Sequence, residues 1–476
     1  MITSLKPYPA YKDSGVPWLG KVPEHWTVRR LKSVVAHINE LTNAKHPDDL
    51  YIAMEHVESW TGRLRAPSGD IQFNSQVKRF RAGDVLFGKL RPYLAKVIRP
   101  HQHGVCVGEF FVLRSTHVVI SPYLEAALRS APVIHYVDSS TFGAKMPRAD
   151  WTFVGNMFFP LPPLPEQTAI VRFLDYMDRR VRRYIRAKQK LIKLLEENRQ
   201  ALIHRAVTGQ IDVRTGQPYP AYKDSGIEWL GKVPAHWEVV PIKRAFSSMD
   251  YGISESGSNS GTIRLLTMGH VRDGQVMIPD TGGVETVDSS LLLSRGDLLF
   301  NRTNSAVLVG KVALFSGNVS PVTFSSYLVR MRPTKENEPE FLNLVLNDAS
   351  TLSRARREAI PSLHQSNLNP TRYGRLPVVL PPKLEQKAIL QQLREQTNRI
   401  KAAISSARRE IDLLREYRER LIADVVTGKV DVREVAARLP EEPPEEEAAL
   451  EEIDETVEDD ASGEESDAET VEEGES

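Results

Sequence analysis

The chain has 476 residues, of which 41% are hydrophobic and 26% charged, a composition that fits two to four soluble globular domains rather than one. It has no run of about 18 apolar residues, and Met1 to Ala10 lack an apolar core segment, so no spanning helix, membrane partner or secretion signal is expected. A single cysteine, Cys106, excludes an internal disulfide and an all-cysteine metal site, and fits a reducing cytoplasm.

The formal net charge of zero hides a segregation. Residues 441–476 hold 19 Asp or Glu and no Lys or Arg, which leaves 62 basic against 43 acidic residues over the first 440, a net of +19. A body this basic calls for an anionic partner, with nucleic acid first in line. The acidic end has the composition of a disordered tail, drawn here over 434–476, and solubilising a basic body is its simplest role.

Read in order, the chain is written twice. Residues 7–26, PYPAYKDSGVPWLGKVPEHW, return at 218–237 with 17 identities in 20. Residues 161–214, from LPPLPEQ to AVTGQIDVR, return at 380–433 with 23 identities in 54 at an offset of 219. The intervening 27–160 and 238–379 correspond only weakly, with GDVLFGKLRPYL at 83–94 facing GDLLFNRTNS at 296–305. A repeat of this length indicates a pair of large units, not a solenoid.

The divergent regions read as α+β. Strands are expected after the Gly-Asp turns and around VCVGEFFVLR and SSYLVRMRP, and helices near 122–130 and 339–347. After each proline cluster a long helix should open, with Glu166 suited to a helix N-terminus and Gly209 and Gly428 as stops. Stepping four and three along the first helix gives Ile170, Leu174, Met177, Val181, Tyr184, Lys188, Leu191, Leu195, Asn198 and Leu202. The second gives Ile389, Leu393, Gln396, Ile400, Ala403, Ala407, Glu410, Leu414, Tyr417 and Leu421. Two such stripes in one chain predict an antiparallel pair. The domains follow as 1–160, 161–217, 218–379, 380–433 and the tail 434–476.

Duplicated ends around divergent middles suit a protein that holds one kind of partner twice and reads two different things. The set PYPAYKDSG…WLGKVPEHW, GDVLFGKLRPYL, GDLLFNRTNS, LPPLPEQ and AVTGQIDVR resembles the specificity subunit of type I restriction–modification systems over about 430 residues. The acidic tail departs from that pattern. The resemblance implies an α+β fold of two globular target-recognition domains joined by two long helices in an antiparallel coiled coil, pseudo-two-fold symmetric. It further implies that each domain reads half of an asymmetric site in double-stranded DNA, and that the coil measures the spacer between the halves. The implied partners are two adenine methyltransferase subunits and motor subunits of the restriction machinery. S-adenosylmethionine, ATP and Mg would then sit on those partners and none on this chain.

Donor-rich segments that differ between copies are the candidate DNA contacts. Lys89, Arg91 and Tyr93 face Arg302, Thr303, Asn304 and Ser305 after the Gly-Asp turns, offering charge, guanidinium forks and amide or hydroxyl groups to bases and phosphates. Lys145 and Arg148 face His364, Gln365 and Asn367 at an offset of 219. His25, His236, Trp18 and Trp229 recur in the leaders and fit packing or docking better than chemistry. No G-x-x-x-x-G-K-[ST] loop, [DN]-P-P-[FY] or H-E-x-x-H motif occurs, so no catalytic or metal residue is expected. The other reading of the same features is a coiled-coil protein scaffold that binds DNA without sequence preference.

Overall fold

A computed structural model describes residues 5–65, 76–143, 145–258, 261–317, 319, 321–362 and 365–440. The chain forms two compact units, Met1–Ala187 with Glu410–Ser476, and Lys188–Arg409. The units therefore do not follow the boundaries drawn on the sequence. Each combines one leader and one divergent region with half of each long helix, Leu164–Val207 and Lys383–Val426. The reason is burial, because each half-helix presents an apolar stripe that is covered within its own unit.

In the first unit the leader folds as a short antiparallel ribbon, Tyr11–Asp13 with Lys21–Pro23, over buried Val16, Leu19 and Val22. The divergent region then enters and leaves through one strand pair. Thr27–Arg30 runs antiparallel to Phe158–Leu161, with Arg30 opposite Phe158. The second unit repeats this with Glu238–Pro241 against Pro377–Leu380. A segment whose two ends lie side by side is built as an insert on a fixed base.

Within the first insert an antiparallel sheet runs Val35–Ile38, Phe110–Ser115, Val85–Gly88, Val97–Ile98, beside a second sheet of Leu41–Thr42, Val77–Phe80, Gly104–Val107 and Leu50–Ile52. Helices Ser121–Leu128 and Ala131–Asp138 cover the first sheet. In the second insert a six-stranded sheet has Phe246–Tyr251, Leu328–Pro333 and Leu298–Asn301 as neighbours, with helices Pro339–Leu346 and Ala349–Arg357. The two Gly-Asp turns do the same work in each. Buried Asp84 accepts from the Arg81 amide and takes both arms of Arg114 at 2.8 and 2.7 Å. Buried Asp297 accepts from the Ser294 amide and takes Arg332 at 2.8 Å twice.

The helix halves run antiparallel inside each unit. In the first, Ile170, Phe173 and Leu174 share a core with Leu421, Val425 and Val426, and Asp178 meets Arg418 at 2.6 Å. In the second, Ala206 and Val207 pack with Ile389, Leu390 and Leu393, and Glu196 meets Arg408 at 3.3 Å. The covered stripe departs from the strict four-three seam. Tyr184, Leu191, Asn198, Ala403, Glu410 and Tyr417 are exposed, and Ile185, Ile192, Arg199, Ile404, Ile411 and Arg418 take their places on the covered side. A helix of 3.6 residues per turn drifts about 20° per heptad from a 3.5 repeat, and one extra step of four in each helix absorbs the drift.

Each leader is fastened by a buried carboxylate at the start of a long helix. Glu166 accepts from the Tyr8 hydroxyl at 2.6 Å, the Trp26 indole at 3.0 Å and His25 Nε2 at 2.7 Å. Glu385 accepts from His236 Nε2 at 2.7 Å and from Arg214 at 3.5 Å. The neighbouring glutamines serve the inserts. Gln167 accepts from the Ile120 amide and donates to the Val118 and Pro162 carbonyls, and Gln386 accepts from the Glu338 amide and donates to Asn337 and Pro381.

The far ends of the helices close the same two corners. Gly428, at φ +77°, lies so close to Pro23 and Trp26 that a Cβ would fall 2.3 Å from the proline ring, and Gly209, at φ +73°, meets Pro234 and Trp237 in the same way. Tyr11 donates to the Lys429 carbonyl and Tyr222 to the Gln210 carbonyl, both at 3.1 Å. The first unit thus unites the beginning of the chain with residues 410–440. Residues 434–440, assigned to the tail by composition, are ordered: Arg433–Ala437 is helical, Ala436 is buried, and Arg172 donates to the Leu439 carbonyl. The remaining tail, 441–476, lies outside the described residues.

Replacing Glu166 with Ala leaves the Tyr8 hydroxyl and Trp26 indole buried without an acceptor, so a loss of about 2–4 kcal/mol is expected. Hydrogen exchange should accelerate in Tyr11–Asp13 and Lys21–Pro23 of the variant and stay unchanged in Tyr222–Asp224.

Candidate nucleic-acid interface

The two candidate segments of each copy, 52 positions apart from Tyr93 to Lys145 and 59 from Ser305 to His364, come together in space. In the first unit the strand Val85–Gly88 delivers the loop Lys89–Tyr93. Leu90 bridges Arg148, the Arg91 amide donates to the Pro147 carbonyl at 2.8 Å, and the Ala149 amide donates to the Lys89 carbonyl at 2.8 Å. Arg148 in turn bridges Phe142. In the second unit Leu298–Asn301 delivers Thr303–Asn304, which pairs with Ser366–Asn367, which pairs with Ile360–Pro361. A three-layer corner of the same construction therefore ends both inserts.

The chemistry on that corner differs between the units. Arg91, Tyr93, Lys145 and Arg148 are exposed in the first, with Lys89 half-buried and Arg148 paired to Glu109 at 3.2 Å. Arg91 sits at φ +49° in the left-handed region, which turns the chain at the end of the strand. Below the loop, buried Lys78 donates to the Phe110 carbonyl at 2.8 Å. Burial lowers its pKa, and the nearby Lys89 lowers it further. His37, its ring tilted against Trp151 with centroids 4.3 Å apart, has its pKa lowered by burial and then by the same two lysines. Like charges crowded at one corner favour an anion there.

The second unit holds its groups in an internal network. Arg302 donates to the Ser326 carbonyl at 3.1 Å and to Asn367 Oδ1 at 3.3 Å, and its guanidinium lies over the Tyr251 ring at 5.2 Å. Asn367 Nδ2 donates to Thr303 Oγ1 at 3.2 Å, so Thr303 and Asn367 satisfy each other. Asn304 Oδ1 accepts from the Ser305 amide. Gln365 is half-buried beside this network, and His364 lies outside the described residues.

Several neighbours were not picked out from the sequence. Tyr251 and Tyr327 are half exposed around Arg302, and Phe142 and Met146 stand out beside Lys145 and Arg148. Phe142 and Met146 are the apolar members of the donor-rich segment FGAKMPR, whereas Tyr251 and Tyr327 lie outside the candidate segments of the sequence. Conversely His25 and Trp26 belong to the Glu166 clasp, and Trp18 stacks on Tyr136 at 5.4 Å. Among the described residues no three His, Cys, Asp or Glu side chains gather as a metal site, and no helix is long and apolar enough to cross a membrane.

No protein-family model matches the chain. It is 22% identical to the specificity subunit of the type I restriction enzyme EcoKI from Escherichia coli K12 over 398 residues, 79% of this chain and 83% of that one. It is 21% identical to the MjaVIII specificity subunit of Methanocaldococcus jannaschii over 450 residues, 87% and 95% of the two chains. The alignment with the EcoDI specificity subunit of Escherichia coli is shorter, 24% identity over 36% of this chain and 39% of that one. That with the putative MjaX specificity subunit covers 48% of the relative, so for these two relatives the chain spans under half their length.

Among solved structures, a chain from a study of assembly and conformational transition in the type I restriction–modification system superposes with a TM-score of 0.66. It has 18% identity and covers 86% of this chain and 99% of that one. The HsdS subunit of Thermoanaerobacter tengcongensis gives a TM-score of 0.50 with 19% identity over 86% and 98%. The fold is shared with these two solved chains, and over most of its length the sequence is similar to the specificity subunits of type I restriction enzymes.

The Asp297 pair is expected to set the geometry of the second corner. Asp297→Ala leaves Arg332 without its carboxylate, and hydrogen exchange of Leu298–Asn301 should accelerate at least tenfold while Val85–Gly88 is unaffected.

Proposed function

We propose that this chain is the non-catalytic DNA-reading subunit of a type I restriction–modification complex, recognising an asymmetric bipartite duplex site with one half-site per unit. One observation carries this reading: the same three-layer corner ends both inserts, with a set of exposed cations in one unit and an amide, hydroxyl and aromatic set gathered around Arg302 in the other. Shared construction with different donors is what two different base sequences require. Lysine and arginine suit guanine edges and phosphates, whereas Asn and Gln suit adenine.

The clasped leaders and helix ends, alike in both units, are the natural seats for two copies of one partner. An adenine methyltransferase subunit fits that role, bringing S-adenosylmethionine with it. Motor subunits would supply ATP- and Mg-dependent restriction. The long helices, at 44 residues and about 1.5 Å each, supply a rod of about 66 Å for spacing the half-sites.

The test is to map N6-methyladenine in cellular DNA with and without this chain, its methyltransferase partner being present. A motif of two short half-sites separated by a fixed spacer should disappear on deletion. Unchanged methylation, or loss of an undivided motif, contradicts the reading.

A further inference from the structure

The corner of the first unit carries apolar groups that contact with groove edges and phosphates leaves unused. Phe142 is 79% exposed and Met146 is 50% exposed. Phe142 and Arg148 exchange backbone hydrogen bonds of 3.4 and 3.2 Å, with Met146 two residues before Arg148. That pair is braced from behind by the Leu90–Arg148 bridge and by the Arg91 amide donating to the Pro147 carbonyl. The aromatic ring is thus presented on a supported edge. Around it stand the exposed cations Arg91, Lys145 and Arg148.

An apolar ring inside a cationic collar fits a partner with flat apolar faces set behind an anionic shell. Stacked base pairs behind two phosphate backbones have that construction, whereas an acidic protein surface offers the charge without the flat faces. The second unit places Ile360, 55% exposed, at the corresponding outer layer of its corner, opposite Asn367. An aliphatic group occupies that layer there, with the two tyrosines nearer Arg302.

We propose that Phe142, backed by Met146, is a wedge that enters the base stack of the half-site bound by the first unit and partly unstacks one step. This rests on the DNA-reading assignment and deepens it. Wedging apolar side chains of this kind kink the duplex and favour easily unstacked pyrimidine–purine steps. Part of that half-site's specificity would then come from deformability, with Lys145 and Arg148 holding the flanking phosphates.

The test uses the full chain with its methyltransferase partner and a duplex carrying the mapped motif, with 2-aminopurine placed in turn at each position of both half-sites. Apart from the target adenines, which the methyltransferase itself flips in both half-sites, wild type should raise the fluorescence at one step of the first unit's half-site. Phe142→Ala should abolish that rise and weaken specific binding about tenfold or more, with the salt dependence of binding unchanged. Phe142→Trp should keep both the rise and the affinity, and Lys145→Ala should flatten the salt dependence while keeping the rise. Because Phe142 is largely exposed, folding is not at stake, and circular dichroism checks it. Specific binding by wild type without any rise, or an alanine variant that keeps rise and affinity, overturns the wedge alone. Failure of wild type to bind the duplex overturns the DNA reading as well.

Discussion

The structure depends on a carboxylate buried at the start of each long helix. A charge withdrawn from water is tolerable only when hydrogen-bonded and paired. Glu166 meets that condition through Tyr8, His25 and Trp26, all from the leader, and Glu385 through His236 and Arg214. The adjacent glutamines lock the inserts to the same helix ends. Four residues of sequence, Glu-Gln in two places, therefore fix where leader, insert and helix meet.

The clasp explains why variation is confined. Leaders and helix ends must keep their donors, the glycine approaches of Gly209 and Gly428, and the apolar layers around Trp26 and Trp237. An insert has to satisfy only its entry and exit strands, such as Thr27–Arg30 against Phe158–Leu161, and the Gly-Asp turn that aims its corner. Beyond those points, its buried core and its contacts with Gln167 or Gln386, its side chains are free to change. The cationic corner and the Arg302–Asn367–Thr303 corner are two outcomes on one support.

Much of this was legible in the sequence. The repeats identified the parts that are built alike, and the Gly-Asp turns and the segments after them identified both corners. What the sequence withheld was partnership. Glu166 reads as a favourable charge at a helix N-terminus, and only the fold reveals it as the acceptor for three leader groups. Thr303 and Asn367 read as free donors, yet they bond each other, because strand pairing brings residues 64 apart into register. The helix seam slipped by one position from Tyr184 and Ala403 because a strict heptad ignores the drift of a nearly straight helix. Leu439 reads as part of an acidic tail, although local composition cannot register its packing against the first unit.

The central claim is that each insert reads alone on a common base. The direct measurement exchanges residues 27–160 for the insert of another specificity subunit, keeping Glu166, Gln167 and the leader, and sequences the methylated motif of the resulting complex. One half of the motif should change while the other half and the spacer persist. A change in both halves would contradict it.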